Sequence, residues 1–180
     1  MPKKLIMEQS KKTEVWLRGP LPNILPLLQP VAHALMQARE EVRELMKNFD
    51  STLLDVKPVG LASVRFHVQH LTGVLDRLFT YARGEMLTES QLDDLKSEGQ
   101  VGQYQAVELL IDLFNQQIES ALDQLKNTDE GTLTEVRHVG RAQIPSTAIG
   151  LLVHAAEHTM RHVGQLLVTV KVVASGSKLP

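Results

Sequence analysis

The chain has 180 residues, a formal net charge of −2 and no cysteine. A chain of this length most often forms one domain with a sizeable core, and its scattered lysines and arginines form no basic stripe that would bind nucleic acid. The absence of cysteine excludes disulfides, thiolate metal sites and a cysteine nucleophile.

The start of the chain predicts neither export nor membrane insertion. Residues 1–8 are basic but lack the apolar run of a secretory signal. No stretch reaches the roughly 18 uncharged apolar residues that a membrane-spanning helix needs. We therefore expect a cytoplasmic protein that has no membrane or nucleic-acid partner.

The first 29 residues differ in character from the rest. A polar, basic arm ends near Trp16, and prolines follow at positions 20, 22 and 26. Proline fixes φ and has no N–H, so this region cannot form a regular helix. Because aliphatic residues lie between the prolines, we expect residues 1–29 to be an arm with an extended, proline-rich segment that packs on the body. Residues 30–174 would form that body and residues 175–180 a C-terminal tail.

Apolar residues recur every three or four positions in four long segments, which is the pattern of amphipathic helices. The predicted helices cover about residues 30–49, 61–84, 103–126 and 146–173. Ser63 and either Ser146 or Thr147 are candidate N-caps, and residues 88–91 have the form of a capping box that begins a short additional helix. Alternating apolar residues at 133–139 suit a short extended piece. Four long helices with short or medium connections predict an all-α four-helix bundle.

The last long helix is apolar almost all the way round. On a helical wheel, His154, His158, His162 and Gln165 form one face. The opposite face consists of Ile149, Leu152, Val153, Ala156, Met160, Val163, Leu167 and Val170. In a four-helix bundle one of the two faces points at the core, which leaves the other for a second subunit. A helix that is apolar on both sides is normally covered on both sides, so we expect a homodimer with contacts between helices.

Histidines are concentrated in two helical segments. His154, His158 and His162 recur every four residues, so their rings form a row along one face of the last helix. His67 and His70 lie on or beside the inward stripe of the second long helix. A lone buried histidine is usually a hydrogen-bonded core residue, but several neutral imidazoles buried without partners would be costly. Since imidazole is the commonest metal ligand, the clustering predicts a metal site.

Two ligand sets are compatible with this spacing. The first combines His158 and His162 with one of the two histidines of the second helix, a choice that the spacing leaves open. It provides three nitrogens and an open coordination position, as in catalytic sites. The second set uses residues 154–158 as a His-x-x-Glu-His zinc-protease motif, with Glu157 as general base. That motif needs a carboxylate ligand well downstream, and none follows in this sequence, so we favour the first set.

Two motifs resemble those of a known family. Residues 66–71, Phe-His-Val-Gln-His-Leu, followed by Asp76-Arg77-Leu78, resemble the second-helix motif of DinB-like four-helix-bundle proteins. Residues 158–165, His-Thr-Met-Arg-His-Val-Gly-Gln, resemble their last-helix motif, a His-x-x-x-His followed by a small residue and glutamine. The resemblance spans about residues 30–173, and the order of the helices matches.

The resemblance implies a divalent metal, foremost zinc or nickel, held by His70, His158 and His162 in a homodimer. The wider superfamily includes transferases and isomerases that use small thiols. A metal-dependent enzyme acting on a small molecule is therefore implied, either a transferase with a low-molecular-weight thiol as co-substrate or a hydrolase. The alternative is a non-catalytic, metal-binding and stress-associated dimeric bundle.

Four further residues can be compared with the family pattern. His67 and His154 are additional to the family pattern, and each would either hydrogen-bond a ligand from behind or replace one. Arg77 and Gln165 lie on the matching faces and are candidates for binding an anionic substrate or for orienting a ligand.

Overall fold

The computed structural model describes residues 13–101 and 106–176. Within these ranges the chain forms α1 (Gln29–Met46), α2 (Val64–Ala82), α3 (Glu89–Ser97), α4 (Val107–Lys126), β1 (Val136–Val139), β2 (Ile144–Thr147) and α5 (Ala148–Gly176). The four long helices form a bundle, which confirms the all-α prediction, and α3 is the short additional helix. None of the described helices is both long and apolar enough to cross a membrane. Residues 1–12 of the predicted arm, residues 177–180 of the predicted tail and the predicted helix start at residue 103 lie outside the described ranges.

Side-chain caps fix where three of the helices begin. The Ser63 hydroxyl accepts a hydrogen bond of 3.2 Å from the backbone N–H of Phe66 at the start of α2. The capping box predicted at residues 88–91 is present at the start of α3. Thr147 accepts a hydrogen bond of 3.1 Å from the N–H of Gly150 at the start of α5. Each cap satisfies an N–H group that the helix itself leaves without a partner, so these predictions are confirmed.

The packing of the long helices places α2 beside α5. Both α1 and α2 pack against α4 and α5, so the order around the bundle is α1, α5, α2, α4. The predicted apolar stripes meet inside and supply many of the largest fully buried side chains, among them Leu35, Leu71, Phe114, Ile118 and Leu152. Burying a side chain of this size stabilises the fold by about 1.5–3 kcal/mol. The two histidine-bearing segments are thereby brought to one helix–helix contact.

The described part of the proline-rich segment contacts the bundle. Val15, Ile24 and Leu28 are buried, and Arg18 forms an ion pair of 2.7 Å with Glu40 of α1. The described part of this segment consists of short 3-10 turns and irregular backbone, because its prolines exclude a regular helix. The boundary at residue 29 between arm and body stays a prediction.

A small hairpin precedes α5 and anchors its first turn. The antiparallel pair β1–β2 forms where alternating residues predicted a short extended piece. The backbone N–H of Ala148 donates to the carbonyl of Glu135 at 3.1 Å, and that of Ile149 donates to Leu133 at 2.9 Å. These bonds fix the direction in which α5 enters the bundle, and with it the direction of its histidines.

The buried side of α5 coincides with neither of its two predicted faces. Val153 and Leu167 of the aliphatic face are exposed, as are His154 and Gln165 of the opposite face, whereas Ala155, Thr159 and Leu166 are buried. The reason is that His158 and His162 lie against His70 of α2, so the buried arc is centred between the two faces. The exposed apolar residues of α5 are Val153, Leu167, Val168 and Val172.

Candidate metal centre

Three histidines from two helices converge at the contact between α2 and α5. His70 lies on α2, and His158 and His162 lie one turn apart on α5. One nitrogen from each ring can be chosen so that all three lie within 4.8 Å of one another. The Nε2 atoms of His70 and His158 are 3.1 Å apart. The group is a histidine triad that could bind a divalent metal ion.

Aromatic contacts fix the ring planes. Phe66, one turn before His70 on α2, stacks on its imidazole with a centroid distance of 5.3 Å and an interplanar angle of 9°. The ring centroids of His70 and His162 are 4.3 Å apart, and those of His158 and His162 are 4.6 Å apart. Because Phe66 covers one face of His70, this ring cannot swing away from the other two without losing a stacked contact.

Burial keeps the rings from α5 in the form that binds metals. The pKa of His162 is lowered to about 4, first by burial and then by charge repulsion from the neighbouring His70 and His158. The pKa of His158 is lowered by burial first and by His70 second. A histidine with a depressed pKa is neutral at neutral pH, and only the neutral ring has a lone pair to offer.

The spacing of the ring nitrogens tests whether these residues fit a metal. The Nδ1 atoms of His158 and His162 are buried without a hydrogen-bond partner among the described residues, whereas Nε2 of His158 faces Nε2 of His70. In a tetrahedral zinc site with Zn–N bonds of about 2.0–2.1 Å, two ligand nitrogens lie roughly 3.4 Å apart. The spacing of 3.1 Å between His70 and His158 is close to that value. The three imidazole nitrogens, their spacing, and the lowered pKa values of His158 and His162 therefore all suit one divalent cation.

The carboxylate of Glu98 contacts His70, and the sequence did not predict this contact. Glu98, immediately after α3, has its Oε2 atom 2.7 Å from Nδ1 of His70 and its Oε1 atom 2.8 Å from Nη2 of Arg77. Burial alone would raise the pKa of Glu98, but the hydrogen bond from His70 and the charge of Arg77 outweigh burial and hold it below its usual value. The capping box predicted α3, yet no local pattern indicates which residue beyond its end reaches α2.

The two additional histidines lie outside the triad. His67 is buried, and its Nε2 atom lies 3.2 Å from the Thr169 hydroxyl of α5. Burial first and His70 second lower the pKa of His67. His154 is exposed, and its Nδ1 atom lies 3.6 Å from Glu157. The structure brings neither ring into the group of three nitrogens within 4.8 Å.

The two candidate substrate-binding residues differ in their surroundings. Arg77 is buried and makes an ion pair with Glu98, so its charge is already engaged inside the protein. It also lines a cavity of about 240 Å³ next to α3. Gln165 is exposed on α5, one turn beyond His162.

Comparison with known proteins agrees with this fold. The family model of the DinB superfamily matches residues 34–166, which include all three histidines of the triad. The chain belongs to the DinB superfamily. Its fold is similar to the crystal structure of a conserved protein from Enterococcus faecalis, with a TM-score of 0.69, 19% sequence identity, and coverage of 84% of this chain and 99% of that chain. No curated protein matches the chain significantly. At this identity the structural likeness concerns the fold alone.

Proposed function

We propose that this DinB-superfamily protein is a divalent-metal-dependent enzyme in which His70, His158 and His162 hold zinc or nickel. The observation that carries the proposal is the convergence of three ring nitrogens within 4.8 Å, from helices distant in sequence. We further propose that the protein is a cytoplasmic homodimer acting on a small-molecule substrate.

The number of ligands favours a catalytic site over a closed structural one. Structural zinc sites usually have four protein ligands, whereas catalytic sites have three and an open position. Within residues 13–101 and 106–176, no fourth histidine, aspartate or glutamate belongs to the group. The three rings are only partly buried, so a small molecule can approach them from solvent.

The residues of the chain have distinct parts in this proposal. The three imidazoles would supply lone pairs, and Phe66 and Glu98 hold the ring of His70 in place. When bound, a divalent metal with an open position lowers the pKa of a thiol or water that reaches it. A low-molecular-weight thiol co-substrate would make the enzyme a transferase, and water would make it a hydrolase. The chain has no cysteine of its own, which fits a thiol supplied as co-substrate.

Glu157 is a poor general base for this chemistry. It is exposed and forms an ion pair with Arg161 on the same helix. The hydrogen bond from Arg161 lowers the pKa of the Glu157 carboxyl, which weakens it as a proton acceptor. The zinc-protease interpretation of residues 154–158 also finds no support, because His154 lies outside the triad.

Metal analysis of protein purified without a histidine tag tests the proposal. We expect about one equivalent of divalent metal per chain in the wild type and none in a His158→Ala/His162→Ala variant. His154→Ala is the matched control, because it removes an exposed histidine from the same helix and should leave the metal content unchanged. Stoichiometric metal in the double variant, or none in the wild type after metal reconstitution, would contradict the proposal.

Cobalt substitution separates the two reactions from the structural alternative. A shift of the cobalt absorption bands on adding a small thiol would favour the transferase. Hydrolysis of a test ester without thiol would favour the hydrolase. A cobalt spectrum unchanged by thiols, by pH or by added anions would indicate a closed site and a non-catalytic bundle.

A further inference from the structure

Glu98 lies between a histidine of the triad and a buried arginine. Its side chain is only 8% exposed, with one oxygen 2.7 Å from His70 Nδ1 and the other 2.8 Å from Arg77 Nη2. A carboxylate buried to this degree persists only when both oxygens have charged or hydrogen-bonding partners. His70 and Arg77 are therefore the groups that keep Glu98 in this place.

The surface of α2 is shaped for this contact. Gly73 lies one turn after His70 and one turn before Arg77, directly under the ion pair. A Cβ atom at this position would lie 2.6 Å from Nη1 of Arg77 and 2.8 Å from Oε1 of Glu98. Glycine is less favourable than alanine inside a helix, and here the missing side chain leaves room for the buried pair.

The backbone beyond Glu98 is also held against α2. The N–H of Gly99 donates a hydrogen bond of 2.7 Å to the side-chain oxygen of Gln69. Gly99 has a φ of +79°, and a Cβ at this position would lie 3.1 Å from the ring of Phe66. The chain therefore turns in a conformation that favours glycine and fits closely beside the ring that stacks on His70. These contacts set the position of the Glu98 carboxylate relative to His70.

We propose that Glu98 is a positioning residue that holds His70 in one tautomer, with the proton on Nδ1 and the lone pair on Nε2. This inference rests on the proposed metal site, since it assigns Nε2 of His70 as the ligand atom. An ionised carboxylate can only accept, so Nδ1 must donate to it. Nε2, which lies 3.1 Å from Nε2 of His158, is then free of a proton and faces the other two rings. Such carboxylate–histidine pairs orient metal ligands and make them more basic.

The Glu98→Gln substitution makes a sharp prediction because Arg77 is a pure donor. The guanidinium charge, 2.8 Å from Oε1 in the wild type, favours the glutamine oxygen on that side, so we expect the NH₂ group to face His70. Nδ1 of His70 then has to accept, and the proton moves to Nε2, where it blocks the lone pair. Long-range proton–nitrogen correlation NMR of the metal-free protein at neutral pH reads this tautomer directly, with His70 assigned by a His70→Gln variant. We expect the Nδ1–H tautomer in the wild type and the Nε2–H tautomer in Glu98→Gln.

Zinc titration gives the second readout. Loss of the partner behind a metal ligand typically weakens metal affinity by about 10- to 100-fold, and we expect that loss in Glu98→Gln. Glu89→Gln is the matched control, since it makes the same chemical change at an exposed position of α3. It should alter neither the tautomer nor the zinc affinity. Circular dichroism checks that both variants are folded.

A further variant tests the role of Arg77. In Arg77→Met/Glu98→Gln, the amide is no longer held in one orientation, so the two tautomers of His70 should coexist. This intermediate result would not arise if the Glu98→Gln effect were a general loosening of the fold.

The outcomes separate this inference from the proposed function. An unchanged His70 tautomer in Glu98→Gln overturns the inference, whether or not the wild type binds zinc. Zinc binding in the wild type with unchanged affinity in Glu98→Gln overturns it as well. If the wild type binds no zinc but the tautomer switches as expected, Glu98 does orient His70 and the metal proposal is what fails.

Discussion

The Nε2 atoms of His70 and His158 lie 3.1 Å apart, although 88 residues separate the two in the sequence. Two ring nitrogens at this distance are compatible only if a proton or a cation lies between them, because two lone pairs or two protons would repel. A neutral N–H···N hydrogen bond would satisfy these two nitrogens alone, whereas a divalent cation would take lone pairs from both and from His162, which is why we propose a metal here.

Substituting Gly73 with alanine should destabilise the protein. Helix propensity alone would favour alanine by about 1 kcal/mol. However, the new Cβ would collide with Arg77 and Glu98, which are buried and held by each other. We expect a net loss of about 1–2 kcal/mol in the free energy of unfolding, measured by urea denaturation.

Gly164→Ala is the matched control for this substitution. Gly164 also lies inside a long helix, but a Cβ there would meet nothing within 4 Å. It should stabilise the protein by about 0.5–1 kcal/mol. Equal effects of the two substitutions would mean that the Arg77–Glu98 pair readily moves aside.

The metal-free protein should lose stability as the pH falls from about 6.5 towards 4. The pKa of His162 is about 4 in the folded state and the ordinary value is 6.5, so the unfolded chain binds more protons in this interval. Stability therefore rises with pH here and is fully regained above about 6.5. His158 and His67 act in the same direction, because their pKa values are also lowered. For His162 alone we expect on the order of 1–2 kcal/mol, since solvent screens the partly buried ring.

Urea denaturation of the metal-free protein across this pH range checks the sign. A His162→Gln variant should show a flatter dependence, because glutamine does not titrate. A stability that rises on acidification in the wild type would contradict a lowered pKa.

The protein should release its bound metal at acid pH. Protons compete with the metal for the three imidazoles, so affinity must fall as the rings titrate. Because burial lowers the pKa of His158 and His162, we expect release between about pH 6 and 4. Equilibrium dialysis followed by metal analysis measures it, and full retention below pH 4 would contradict histidine ligation.

The proposed homodimer should depend on the exposed apolar face of α5. Val153, Leu167, Val168 and Val172 are all exposed on this helix, whereas His158 and His162 lie against His70 of α2. We expect light scattering to give twice the chain mass of 20.1 kDa. Val168→Asp should raise the dissociation constant at least about tenfold, because it would bury an unpaired charge in the interface. Leu109→Asp, at an exposed position of α4 across the bundle from α5, is the control, and a monomeric wild type at micromolar concentration would refute the proposal.

Thr169→Val separates a structural His67 from a metal ligand. The Thr169 hydroxyl is the partner of His67 Nε2, and both side chains are buried. Valine has the same shape but leaves that nitrogen unsatisfied, at an expected cost of about 1–3 kcal/mol in unfolding free energy. Zinc content should stay unchanged. A loss of metal together with unchanged stability would indicate that His67 takes part in ligation.

The sequence by itself determined the helices and their caps. Apolar residues at helical spacing fixed the four long helices, and Ser63, Thr88 and Thr147 marked helix starts, because capping and amphipathicity are properties of a few neighbouring residues. The His-x-x-x-His spacing at residues 158–162 likewise placed two rings on one face of α5. These signals are local, so no knowledge of the packing was needed.

Only the tertiary structure decided what surrounds each histidine. Spacing left His67 and His70 equivalent, yet the packing of α2 against α5 points one towards Thr169 and the other towards His158. It also rotated α5 so that Val153 became exposed, and it brought Glu98 from beyond α3 to the back of His70. Which helix faces which, and where a short connection ends, depends on contacts summed over the whole core. No single stretch of the sequence contains enough information to predict these contacts.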